Sequence, residues 1–129
     1  LNEFQNQTIL EIGSGLCNFC MILSSQLDSF TYICLDIPEM IPNGYHSINT
    51  KYKLNDIEVF LPQEYELFLK SSSKKKILFI LPDQLKDLEL KFKMLVNHES
   101  FAEMNINTVN NYLKKFKEKL DLNSYVFLY

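Results

Sequence analysis

Apolar positions recur along this chain in two rhythms, continuous short runs and helical stripes, and the alternation of the two predicts an open sheet flanked by helices. Thr8-Ile9-Leu10-Glu11-Ile12 is a short run that stops at Gly13-Ser14-Gly15, the pattern of a strand buried on both faces. Leu16, Phe19, Cys20, Leu23 and Leu27 then recur at helical spacing. Asp28-Ser29 break that stripe. Phe30 to Leu35 is a second apolar strand, ending at Asp36 and Pro38. Strand, helix and strand within about 30 residues make a βαβ unit, for which a right-handed crossover is expected.

The signal weakens between Pro38 and Lys70. A helix is expected over Glu39 to Thr50, with Pro42 and Asn43-Gly44 arguing for an interruption. Another follows Pro62, with Tyr65, Phe68 and Leu69 facing inward, and Ser71 to Lys76 reads as a solvated connector. Ile77 to Leu81 and Phe92 to Val96 are the third and fourth strands, closed by Pro82-Asp83 and Asn97-His98. Val109, Tyr112, Leu113, Phe116 and Leu120 repeat the helical stripe, with Lys114, Lys115, Lys117 and Lys119 on the wet side. Tyr125 to Tyr129 is the fifth strand. The expected fold is α/β: a doubly wound, mostly parallel sheet of about five strands.

Composition narrows the function. A chain of 129 residues, 47% apolar and 22% charged, suits one domain with a packed core. All 13 basic residues are Lys, and the net charge is −3. Without the bidentate Arg fork or a basic face, no nucleic-acid partner is expected. No apolar stretch approaches the ~20 residues of a membrane helix, so no membrane span is expected. Three cysteines, an odd and low count, fit reduced thiols and a cytoplasmic location better than a disulfide framework. The chain starts almost on its first strand and ends inside an apolar one, so residues 1–129 are expected to be a domain fragment lacking N-terminal helices and last strands.

In open α/β sheets ligands bind beyond the carboxyl ends of the strands, near the switch in strand order. The residues there are Glu11 with Gly13, Ser14 and Gly15, then Asp36, then Pro82-Asp83-Gln84, then Asn97 to Met104. A Gly-rich turn opening a helix suits a dinucleotide or S-adenosylmethionine. Glu11 separates them. A carboxylate ~5 Å from a phosphate charge costs roughly 3 kcal/mol at an effective dielectric near 20, whereas a sulfonium and an ammonium are favoured by it. A dinucleotide would also want Gly or Ala at Asn18. Asp36, 21 residues past Gly15, is placed to accept hydrogen bonds from ribose hydroxyls.

Glu11-Ile12-Gly13-Ser14-Gly15 followed by Leu35-Asp36-Ile37-Pro38-Glu39 resembles the first two motifs of class I S-adenosylmethionine-dependent methyltransferases. Asn97-His98-Glu99-Ser100-Phe101-Ala102-Glu103-Met104 resembles the Asn-x-x-Ser-Phe-x-Glu-Met segment after the fourth strand of the sugar O-methyltransferase family. The resemblance implies a Rossmann-like domain, its strands in the order 3-2-1-4-5, that binds S-adenosyl-L-methionine as methyl donor and methylates a hydroxyl of a small-molecule or polysaccharide sugar acceptor. It implies that Glu11, Gly13, Ser14 and Gly15 hold the methionine end, that Asp36 and Ile37 meet the ribose side, and that Asp83 or Gln84 approaches the adenine. Asn97 would border the donor near the methyl. The pattern often has a third Gly where this chain has Cys17, and an acid near the start of the fourth strand where it has Lys93.

Methyl transfer to oxygen needs alignment and a base for the hydroxyl proton. His98 is the candidate base and Glu103 the second candidate or its orienting partner; Phe101 would wall the methyl. Ser100 and Glu103 are equally spaced as a helix capping box. Cys17-x-x-Cys20 has the outline of a thiol motif, but Cys20 lies on the inward stripe and Cys34 reads as core. No His has a Cys or acid partner at ligand spacing, so no metal is expected. The competing readings are a catalytically silent donor- or nucleotide-binding domain and a nucleotide-dependent oxidoreductase.

Overall fold

The computed structural model describes residues 2–51 and 56–129. Six strands are described, in one sheet: β1 (Thr8–Ile12), β2 (Phe30–Leu35), β3 (Ile57–Phe60), β4 (Lys75–Ile80), β5 (Phe92–Asn97) and β6 (Leu120–Leu128). Their spatial order is β3-β4-β2-β1-β5-β6, and every neighbouring pair is parallel. Set β3 aside and the remaining five lie in the predicted order. The sequence reading lacks β3 because this edge strand is four residues long with no buried position.

Among the described residues, four α-helices accompany the strands: α1 (Asn18–Ser24), α2 (Ile41–Lys51), α3 (Tyr65–Lys70) and α4 (Ile106–Lys119). Side chains alternate across the sheet, as strand geometry requires. Ile9, Tyr32, Cys34, Ile77, Phe79 and Val96 share one core cluster with Cys20, Met21 and Leu23 of α1 and Ile41 and Ile48 of α2. Leu10, Ile33, Leu78 and Leu95 form the opposite cluster with Phe68 of α3 and Tyr112 and Phe116 of α4.

Several expectations are corrected. Asn43-Gly44 does not interrupt α2, and Pro42 falls in its first turn, where the missing N–H costs nothing. Gly44 sits inside the helix because a Cβ there would lie 2.8 Å from the Gly15 carbonyl oxygen and 2.9 Å from Cys17 Sγ. Leu69 is 48% exposed, because α3 is only six residues long and buries Phe68 alone. Leu16 precedes α1 and is also exposed. Lys75 and Lys76 belong to β4 rather than to a solvated connector. Their amines reach inward to carbonyl oxygens, Lys75 to Ser24 and Lys76 to Phe68 and Ser71, while Lys75 also pairs with Asp56 at 3.1 Å.

Candidate functional site

The strand order reverses at β1, between β2 on one side and β5 on the other, and the Gly loop leaves the sheet there. Gly13, Gly15 and Cys17 all adopt left-handed backbone conformations, with φ of 68°, 52° and 59°. Cys17 is thus the third left-handed position, held without glycine by its amide bonding to Ser14 O at 2.7 Å. With Gly44 against Gly15, all three glycines of the chain meet around one loop.

A cleft of about 360 Å³ opens beside this loop, between α1 and the ends of β5 and β6. Glu11, Gly13, Ser14 and Gly15 line it, as do His98 and the apolar Phe19, Val96 and Phe127. Phe19 and Phe127 stack with ring centres 6.2 Å apart, a wall that no pairing signal in the sequence announces.

Glu11 is 3% exposed. Burial pushes its carboxyl up to about 7 from an ordinary 4.5; the Tyr32 hydroxyl, donating to Oε2 at 2.9 Å, opposes that rise, and the Asp36 charge adds to it. Asp36 is 8% exposed and stands across the loop. Its Oδ2 accepts from the Gly15 amide at 2.7 Å and its Oδ1 from the Ile37 amide at 2.8 Å. Ser14 Oγ lies 3.5 Å from the same Oδ2. Asp36 therefore fixes the loop, and each oxygen keeps acceptor capacity. Ile37 beside it is 51% exposed, an apolar side chain open to a ligand.

Other expected site residues have different roles. Asn97 is 2% exposed; its amide nitrogen donates to Ile12 O at 3.1 Å, and its Oδ1 accepts from the Phe101 amide at 3.2 Å. Ser100 Oγ donates to the same Ile12 oxygen at 3.0 Å and bonds the Asn97 amide. Asn97 and Ser100 thus clasp the end of β1 to the end of β5 rather than lining the cleft. Ser100 to Glu103 forms a 3-10 turn, and α4 is capped instead by Asn105, which accepts from the Thr108 amide at 2.9 Å. Gln84 is committed to the Leu81 amide and the Pro62 carbonyl, at 2.8 and 3.1 Å. Asp83 is exposed beside it.

Of the two candidate bases, only His98 lines the cleft, at its exposed rim, with its ring stacked on Tyr129 at 5.1 Å. Glu103 is exposed and outside the cleft lining. Phe101 stacks on Tyr112 on the opposite face of the sheet. Cys17 and Cys34 place their sulfurs 3.7 Å apart. Cys17 is pushed far up, first by its hydrogen bond with Cys34 and then by burial, and burial raises Cys20 and Cys34. These thiols stay protonated and unreactive, which removes the ground for a CxxC redox motif. A second hollow of about 460 Å³ lies at the other end of the sheet. Lysines line it, but Lys91 and Lys119 spend their amines on the carbonyl oxygens of Glu118, Lys86 and Leu88.

The sequence matches no family model and no curated protein. Solved structures do match. PKMT2 from Rickettsia typhi superposes with a TM-score of 0.64 at 15% identity over 94% of this chain, and its complex with AdoHcy superposes at 0.57. Precorrin 8W decarboxylase from Methanobacterium thermoautotrophicum gives 0.62 at 14% identity over 95%. A Methanococcus maripaludis protein assigned as an S-adenosyl-L-methionine-dependent methyltransferase gives 0.57 at 19% over 89%. The fold is the Rossmann-like methyltransferase fold. This chain spans 20% of the Rickettsia protein, 53% of the decarboxylase and 46% of the Methanococcus protein. Among the described residues, no helix is long and apolar enough to cross a membrane, and no cluster of His, Cys, Asp and Glu fits a metal ion.

Proposed function

We propose that this chain is the donor-binding domain of an S-adenosyl-L-methionine-dependent methyltransferase, acting on a sugar hydroxyl. One observation carries the donor: the buried Glu11 carboxylate lines the cleft beside a glycine loop, where a diphosphate would be repelled and an ammonium or sulfonium favoured. The residues fit that group. Glu11 would accept from the ammonium, the open space at Gly15, where a Cβ would meet nothing within 4 Å, would let the methionine end approach, and Asp36 with Ile37 would take the ribose side. Bound there, the donor supplies an electrophilic methyl on a sulfonium. His98 at the rim would take the acceptor's proton, and the apolar Phe19 and Phe127 would exclude water from that end. The sugar acceptor rests on the Asn97 to Met104 segment and its resemblance, and a cytoplasmic location on the three free cysteines.

A silent donor-binding domain is the second reading, favoured because Glu103, the expected orienting partner of His98, is exposed and outside the cleft lining. Calorimetry on the full chain should show S-adenosylmethionine and S-adenosylhomocysteine binding and NAD failing to bind; NAD binding alone would overturn the proposal. With sugar acceptors assayed by mass spectrometry, His98→Ala is expected to keep donor affinity within about twofold and lower turnover by about 100-fold or more. Unchanged turnover removes His98 from the mechanism, and absence of turnover in the wild type with intact binding favours the silent reading.

A further inference from the structure

Tyr32 has no part in the functional reading above, yet it alone hydrogen-bonds the Glu11 carboxylate among the described residues. Its side chain is fully buried, edge-on to Phe30. In the register of β1 and β2, Tyr32 pairs with Ile9 and Glu11 with Cys34, so the phenol reaches two positions along the sheet to meet the carboxylate. Oε2 is taken and Oε1 remains for whatever enters the cleft.

We propose that Tyr32 is a positioning residue for Glu11: its hydroxyl anchors Oε2, leaves Oε1 to the cleft, and sets the lowest pH at which the cleft holds an organic cation. The proposal rests on the donor reading only in taking that cation to be an ammonium or sulfonium. A buried carboxylate remains ionisable when a donor stabilises its charged form. The other titratable groups around Glu11 offer no such help. On β2 are Cys34 and, at its end, Asp36, whose charge opposes ionisation; on the loop is Cys17, raised by its hydrogen bond with Cys34 and then by burial, and on α1 is Cys20, raised by burial and by Cys17. After β5 comes His98, which shares the cleft, and no lysine lines it.

Tyr32→Phe removes one oxygen and keeps the ring. By carboxyl NMR on the ligand-free full chain, the Glu11 midpoint should rise from about 7 in the wild type by about one further unit in the variant. By calorimetry, S-adenosylmethionine should bind about fivefold more weakly to the variant at pH 7 and within about 1.5-fold of wild type at pH 9, where both carboxylates are ionised. In a Glu11→Gln background, the same change should leave the pH profile of stability unmoved. An unshifted midpoint, or an affinity loss equal at both pH values, overturns the proposal and leaves Tyr32 as ordinary packing. If the wild type binds no S-adenosylmethionine at any pH, the donor reading falls and the cation claim with it. The NMR arm needs no ligand and decides separately whether Tyr32 holds Glu11.

Discussion

Glu11→Gln is expected to leave the ligand-free protein about 3 kcal/mol more stable than wild type at pH 8, an advantage that should vanish by about pH 4. The sign follows from the carboxyl itself. Its folded value is about 7 and its ordinary value 4.5, so the folded state holds the proton more tightly than the unfolded chain. Wild-type stability is therefore fully present below about 4.5 and is lost as pH rises to about 7, at roughly 1.4 kcal/mol per unit. Gln is neutral throughout, and its amide oxygen can still accept from Tyr32. Urea unfolding across this range measures the difference; equal stability at pH 8 would mean that the carboxylate carries no desolvation cost. The same variant should lose the proposed cation binding at every pH, so a residue costly to the empty fold would be the one the proposed ligand requires.

Gly13→Ala is expected to cost about 3 to 4 kcal/mol, and Gly15→Ala only about 1 to 2. Both glycines have positive φ, which strains any substitute. They differ in space. A Cβ on Gly15 meets nothing within 4 Å, whereas one on Gly13 would lie 2.3 Å from Ser100 Cβ and 2.4 Å from its Oγ. Ser100 has no freedom to retreat, because that Oγ is bonded to Ile12 O. Denaturant unfolding of the two variants tests the ranking. Equal costs would show that backbone conformation, not crowding against Ser100, governs the loop.

The sheet was legible wherever its strands are buried on both faces, because β1, β2, β4 and β5 announce themselves as continuous apolar runs. β3 carries no such run and sits at an edge, so tertiary pairing with β4 rather than local pattern makes it a strand. Glu11 was legible through its charge next to a glycine turn, and Asp36 through its spacing, though its bond to the Gly15 amide was not. Asn97 and Gln84 have the polarity of ligand contacts, but their partners are backbone groups and, for Asn97, the Ser100 hydroxyl, brought close by folding. Tyr32 is not legible locally, because an aromatic residue inside a strand looks like core, and only three dimensions reveal what its hydroxyl meets. A period-2 reading from Asp36 back through Cys34 to Tyr32 places all three on one face and offers the signal that was available.

The clasp at Ile12 joins positions 85 and 88 residues apart in the sequence. A ribosome that has extruded only the first βαβ unit has made the glycine turn but neither the donors that pin it nor the rim that carries the imidazole. The cleft is therefore a late product of synthesis, and until β5 docks, the acid buried at residue 11 has one side of its enclosure missing.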